Sequence, residues 1–269
     1  MDSSSLQAII LGIVQGLTEF LPVSSSAHLL IFPWILGWEP IGLSFDVILH
    51  AGTLLAVLIY FRSDLVQLGA DLWQGVRGKP SPKPDLLTPL FVGTLPALVV
   101  GLFFRDYIEL HLRDPRVVVA TLALVGGLLY WADRTGGGQR AWKTLSWQHG
   151  LIIGLAQASA LVPGVSRSGI TIVVALLLGF NRVDSARFSF LLAVPIIAAA
   201  TAVRVIEASL ASSGQGLPLV PLLLGVVFSF ISGFLCIKYF LRFLQVRSLQ
   251  PFAVYRFCLS AFLCWWLLV

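Results

Sequence analysis

Runs of roughly 17 to 20 mostly apolar residues recur along this chain, and that is the length a helix needs to cross the hydrocarbon core of a bilayer. Of 269 residues, 57% are hydrophobic and 12% charged, against about 25% charged in an ordinary soluble domain. Backbone in lipid must satisfy its own hydrogen bonds, so only helices and closed barrels span a membrane, and these runs lack the alternation of a barrel strand. The expected fold is an all-α integral membrane protein. The N-terminal residues have neither a basic stretch nor a small-residue cleavage site, so they are read as membrane domain rather than signal peptide. The net charge of +5 suits basic cytoplasmic loops better than a nucleic-acid partner.

Six segments are long enough to span, at about 45–61, 86–104, 117–132, 187–206, 217–237 and 252–269. Two others are interrupted. Residues 6–21 and 28–38 flank "PVSSSA", and residues 149–162 and 169–180 flank "PGVSRSG". Proline and small polar residues end helices, so each pair predicts a re-entrant helical hairpin. A shift of 142 residues pairs Gly12 with Gly154, Gln15 with Gln157, Val23 with Val165, Ser24 with Ser166 and Ser26 with Ser168. Each hairpin precedes three spans, giving one membrane domain over 1–269, with repeat 1 at about 1–135 and repeat 2 at about 145–269. An odd number of spans per half inverts the second half relative to the first. Such inverted repeats place their site near the bilayer midplane, where interrupted helices meet.

Lysine and arginine set the expected orientation. The N-terminal side receives Arg105, Arg113, Arg116 and Arg204. The other side receives twelve basic residues, Arg62, Arg77, Lys79, Lys83, Arg134, Arg140, Lys143, Arg182, Arg187, Lys238, Arg242 and Arg247. The richer side is cytoplasmic by the positive-inside rule. Both termini then face outward, the first hairpin opens to the outer side and the second enters from the cytoplasm.

The polar residues of the hairpins are the candidate site. Gln15 and Glu19 stack on one helix face, with Gly12 on the same face for close backbone approach. An ionisable residue inside the membrane points to function, although Glu19 also suits a counter-ion for a buried arginine. Ser24, Ser25 and Ser26 followed by His28 put hydroxyls and an imidazole at a helix start, where at least one serine serves as an N-cap. In "PGVSRSGIT", Gly164 and Gly169 free the backbone, and the following helix N-terminus attracts anions. Arg167 offers a planar fork for phosphate oxygens, and Ser166, Ser168 and Thr171 add hydroxyl donors. Asp46 and His50 share a helix face near a span's end, suited to headgroups. His111 and His149 fall in expected loops. Trp34, Trp38, Trp131, Trp142 and Trp147 read as interfacial anchors, and Cys236, Cys258 and Cys264 as small apolar residues.

Together these runs resemble the undecaprenyl-diphosphate phosphatase family of bacterial membranes, also known for bacitracin resistance. The family's (E/Q)xxxE motif is matched by "QGLTE" from Gln15 to Glu19, its nearby histidine by His28, and its PGxSRSxxT motif by "PGVSRSGIT" from Pro163 to Thr171. "FSFLLAVP" and "PFAVYRF" also look like family segments. Gln15 stands where many members have Glu, which removes one carboxylate from any two-carboxylate metal site. The resemblance implies hydrolysis of undecaprenyl diphosphate to the monophosphate and inorganic phosphate, recycling the carrier lipid of cell-wall synthesis. It implies a bacterial inner-membrane location with an outward, periplasmic site, and a divalent cation, Mg²⁺ or Ca²⁺, for which Glu19 is the candidate ligand. It leaves a homodimer open.

In that reading Ser25 attacks the terminal phosphoryl group. Glu19 or His28 takes its proton, and the other orients it or protonates the leaving group. A histidine nucleophile and an activated water remain alternatives. Arg167 binds the transferring phosphoryl group, while Gln15, Ser24, Ser26, Gly164, Ser166, Ser168, Gly169 and Thr171 line the substrate site. The competing class is a transporter or flippase of a phosphorylated lipid or small anion, which would use the same arginine and helix dipole without bond cleavage.

Overall fold

The computed structural model describes residues 3–38, 43–78, 85–210 and 219–268. Lys79 and Lys83, counted above for orientation, lie outside them. The described residues form eleven α-helices and no β-strand. These are α1 (Ser3–Phe20), α2 (Ser25–Ile35), α3 (Leu43–Tyr60), α4 (Arg62–Val76), α5 (Leu87–His111) and α6 (Pro115–Thr135). A short 3₁₀ turn at Trp142–Thr144 leads to α7 (Trp147–Ser159), α8 (Arg167–Leu177), α9 (Arg182–Leu210), α10 (Leu219–Val246) and α11 (Gln250–Trp266).

Helices α5, α6, α9 and α10 are long and apolar enough to cross a bilayer, and α3 with α4 makes a fifth candidate bent by 77°. The architecture is that of an all-helical membrane protein. Two details differ from the sequence expectation. Helix α4 lies where the apolar pattern predicts none. Arg62, Asp64, Gln67 and Asp71 interrupt its apolar residues and leave only a stripe. Helix α11 is 17 residues long, at the short limit for a span.

The two interrupted segments break where their sequences dictate. Helix α1 stops at Phe20 because Pro22 lacks an amide hydrogen and disfavours helical backbone in Leu21. Helix α7 stops at Ser159, ahead of Pro163. Small residues then set the packing. A methyl group at Gly12 would overlap the carbonyl of Gly225 on α10, and one at Gly154 the carbonyl of Gly93 on α5. Helix α1 therefore seats on α10 and α7 on α5 with backbones in direct contact, the packing that glycine permits in membranes. Beneath the first break, Phe20 meets Phe190 edge-on with ring centroids 5.1 Å apart. Ile172, Leu176, Ile237 and Phe240 complete that core.

Trp34, Trp131 and Trp147 are exposed, as anchors require. Trp38 and Trp142 are instead partly buried, the latter with the Arg187 guanidinium 4.8 Å above its ring. His111 and His149 are helical rather than in loops. His111 ends α5 and stacks on Tyr107. His149 completes a capping box with Ser146 at the start of α7.

Candidate active site

Both breaks are built alike. Ser24 caps α2, its hydroxyl accepting the Ala27 amide at 3.4 Å, and Ser166 caps α8, accepting the Gly169 amide at 3.1 Å. Their φ angles are 75° and 71°, and no other non-glycine among the described residues has a positive φ. An L-residue held in this region is strained, and surrounding structure must over-determine it. The two loops touch. The Gly164 amide donates to Ser26 Oγ at 3.5 Å, and the Ser168 hydroxyl donates to the Leu21 carbonyl at 3.0 Å.

Glu19, only 6% exposed, is the hub. Its Oε2 accepts from the Ser25 hydroxyl at 2.7 Å and from Gln15 Nε2 at 3.0 Å. Its Oε1 accepts from Arg167 Nη2 at 3.1 Å. Arg167 is also fixed from below, because its Nη1 donates to the Ser189 carbonyl at 3.0 Å. Thr171 Oγ1 lies 2.7 Å from Ser189 Oγ and donates to the Arg167 carbonyl at 2.7 Å. One carboxylate thus joins the serine of the first loop to the arginine of the second. Ser26 is exposed and Ser25 and Arg167 are partly exposed, while Ser24, Ser166 and Ser168 are buried.

His50, read from the sequence as suited to headgroups, contacts this cluster. Its Nε2 lies 3.4 Å from Glu19 Oε2, and its Nδ1 bonds the Asp46 carbonyl at 2.8 Å. Facing a carbonyl, Nδ1 must carry its hydrogen, so Nε2 is the atom turned to the site. His28 is differently engaged. Its Nδ1–H donates to the Ser24 carbonyl at 2.7 Å, which leaves Nε2 to accept from the Tyr255 hydroxyl at 2.7 Å. Both ring nitrogens are therefore spent on holding the first loop.

A family model described as bacitracin resistance protein BacA matches residues 8–262. The chain belongs to the bacitracin resistance protein BacA family. A relative from Chromohalobacter salexigens, named undecaprenyl-diphosphatase, is 45% identical over 262 residues, 97% of this chain and 98% of the relative.

In this BacA-family chain the structure brings Gln15, Glu19, Ser25 and Arg167 into one hydrogen-bonded cluster. Ser24, Gly164 and Ser166 in the two loops, with Ser26 in the first turn of α2 and Ser168, Gly169 and Thr171 at the start of α8, surround it. Sequence reasoning missed three residues. His50 showed as a histidine four residues after Asp46, with nothing to say which way it faced. Ser189 lay unremarked inside "FSFLLAVP". Arg256, fully buried in α11, had a signal available, since an arginine in a membrane segment is a candidate functional residue by itself.

Proposed function

We propose that this chain hydrolyses undecaprenyl diphosphate to undecaprenyl phosphate and inorganic phosphate. One observation carries the reading: Ser25 and Arg167 meet on a single carboxylate, between two helix N-termini whose amides suit an anion. The name of the Chromohalobacter relative agrees with it.

In the reaction, Glu19 accepts the Ser25 proton across their 2.7 Å bond as Oγ attacks the terminal phosphorus. The new P–Oγ bond replaces the bond to the bridging oxygen, and undecaprenyl phosphate leaves with that electron pair. The departing undecaprenyl phosphate takes the proton from Glu19; water then attacks the phosphoserine, giving a proton to the regenerated Glu19 carboxylate, which passes it to Ser25 Oγ as the P–Oγ bond breaks and phosphate leaves. Arg167, held by Ser189 and Glu19, turns its fork to the phosphoryl oxygens, where charge shifts in the transition state. His50 Nε2 sits beside Glu19 to share the proton. His28 orients the loop.

A divalent cation fits the donor set only in partnership with substrate. Among the described residues no three His, Cys, Asp or Glu side chains cluster as a metal site. Gln15 Oε1, however, is buried without a hydrogen-bond partner next to the Glu19 carboxylate. Glu19 and Gln15 would hold Mg²⁺ or Ca²⁺ as hard oxygen ligands, with substrate phosphates completing the shell. Such an ion would neutralise diphosphate charge.

The inverted repeat is part of this reading. Matching strained caps 142 residues apart, and the reciprocal seating of α1 on α10 and α7 on α5, support it. The basic residues support a bacterial inner-membrane protein with its site open to the outer side. The decisive experiment is phosphate release from undecaprenyl diphosphate by purified protein in detergent, where no transport occurs. Wild type should turn over, and Ser25→Ala should fall to background. Sustained release by Ser25→Ala would remove the serine nucleophile, and no release by wild type would favour a transporter.

A further inference from the structure

We infer that Tyr255 and Arg256, adjacent on α11, are positioning residues that clamp both strained loops from behind and so aim their amide hydrogens at the phosphate. The inference rests on the phosphatase reading for the identity of the ligand.

Arg256 is completely buried, and no carboxylate among the described residues pairs with it. Its guanidinium is spent on five backbone carbonyls. Nε donates to Leu122 and Nη1 to Pro22, each at 3.2 Å. Nη2 reaches Gly164 at 2.9 Å and Val165 and Thr121 at 3.2 Å. Pro22 belongs to the first loop, Gly164 and Val165 to the second, and Thr121 and Leu122 to α6. Thr121 adds its own bond to the second loop, its hydroxyl donating to the Pro163 carbonyl at 2.8 Å. One planar cation therefore ties both catalytic loops to a spanning helix.

Peptide planarity turns this into an effect on the site. In a trans peptide the carbonyl and the following N–H point in opposite directions. Drawing the Val165 carbonyl toward Arg256 turns the Ser166 amide away from it. In the first loop the pinned carbonyl is that of the strained serine itself, held through a relay. Tyr255 donates to His28 Nε2, and His28 Nδ1–H holds the Ser24 carbonyl, which turns the Ser25 amide the other way. Ser24 and Ser166 are the two positive-φ serines. Each strained serine therefore borders a peptide whose carbonyl is pinned from α11. Strain of this kind persists only where neighbours over-determine it. The unpaired charge of Arg256 also adds positive potential beneath a site for a multiply charged anion.

The test uses the full chain, purified in detergent, as wild type, Tyr255→Phe, Arg256→Lys and Arg256→Met. Turnover per folded molecule is measured beside the rise in Tm on adding inorganic phosphate. Tyr255→Phe keeps the ring that stacks on His28 at 5.8 Å and removes only the hydroxyl, so it should fold and lose about 3- to 10-fold in turnover, the scale of one hydrogen bond. Arg256→Lys keeps charge but not the fork. It should lose roughly 10²-fold, with Arg256→Met worse, so that lysine partly rescues. The phosphate-induced rise in Tm should shrink in the same order. A purely structural role would lower Tm but leave folded molecules with wild-type turnover and a full phosphate shift, and that result overturns the inference. If neither Arg256 variant folds, Tyr255→Phe decides. A wild type that responds to phosphate but releases none would sink the phosphatase reading alone, since the loss of phosphate response in the variants would still stand.

Discussion

Arg167 offers the sharpest separation of chemistry from architecture. In the fold it makes two hydrogen bonds, to the Ser189 carbonyl and to Glu19. Lysine keeps the charge but cannot bond both and still present a planar fork to a phosphoryl group. Loss of one preorganised electrostatic donor typically removes about 10²- to 10³-fold in turnover, or about 3–4 kcal/mol, and Arg167→Lys should fall in that range. Arg167→Ala should fall further. Its stability loss should nevertheless be moderate, because Glu19 retains Gln15, Ser25 and His50 as neighbours. About 1–3 kcal/mol is expected, short of the 3–5 kcal/mol that follows when a buried charge is stranded. The assay pairs phosphate release with thermal unfolding in detergent for Arg167→Ala, Glu19→Gln and the double variant. If Arg167 served only to neutralise Glu19, the double variant would regain both stability and activity. Recovered activity, or full activity in Arg167→Ala alone, would refute the reasoning.

Glu19→Gln alone should lose about 10²- to 10⁴-fold in phosphate release, the range for a general base, while unfolding near the wild-type temperature. Gly12→Ala and Gly154→Ala drive a methyl into the carbonyls of Gly225 and Gly93; each should lower stability by about 1–3 kcal/mol, measured by unfolding in detergent, and no loss would mean the helices are not packed backbone to backbone. Once the native cysteines are replaced, a cysteine in the 77–83 stretch should be shielded from an impermeant thiol reagent in intact cells. One in 209–215 should react, and the reverse pattern would overturn the assigned orientation.

The sequence alone was enough to find the four long apolar helices, the two broken segments and most of the groups that gather at Glu19, but not the bend from α3 into α4. Apolar length and proline act locally, so they can be read without knowing what lies beside them. Gln15 and Glu19 were legible for the same reason, since helical spacing stacks them in any fold, and a cap among Ser24, Ser25 and Ser26 because a cap depends only on its own turn. The repeat offset was enough to predict that the loops meet. What the sequence could not decide was rotation and seating. His50 sits 31 residues beyond Glu19 on another helix, and it faces the carboxylate only because α3 packs beside α1 with that side turned inward. His28 looked like a base beside three serines, yet its lone pair is taken by Tyr255, 227 residues away. Arg256, a charge in an apolar run, passed unremarked in the sequence, and its five carbonyl partners come from α6 and both loops. Hydrogen bonds are short and directional, so a residue's role here was settled by which distant helix the glycines allowed to approach.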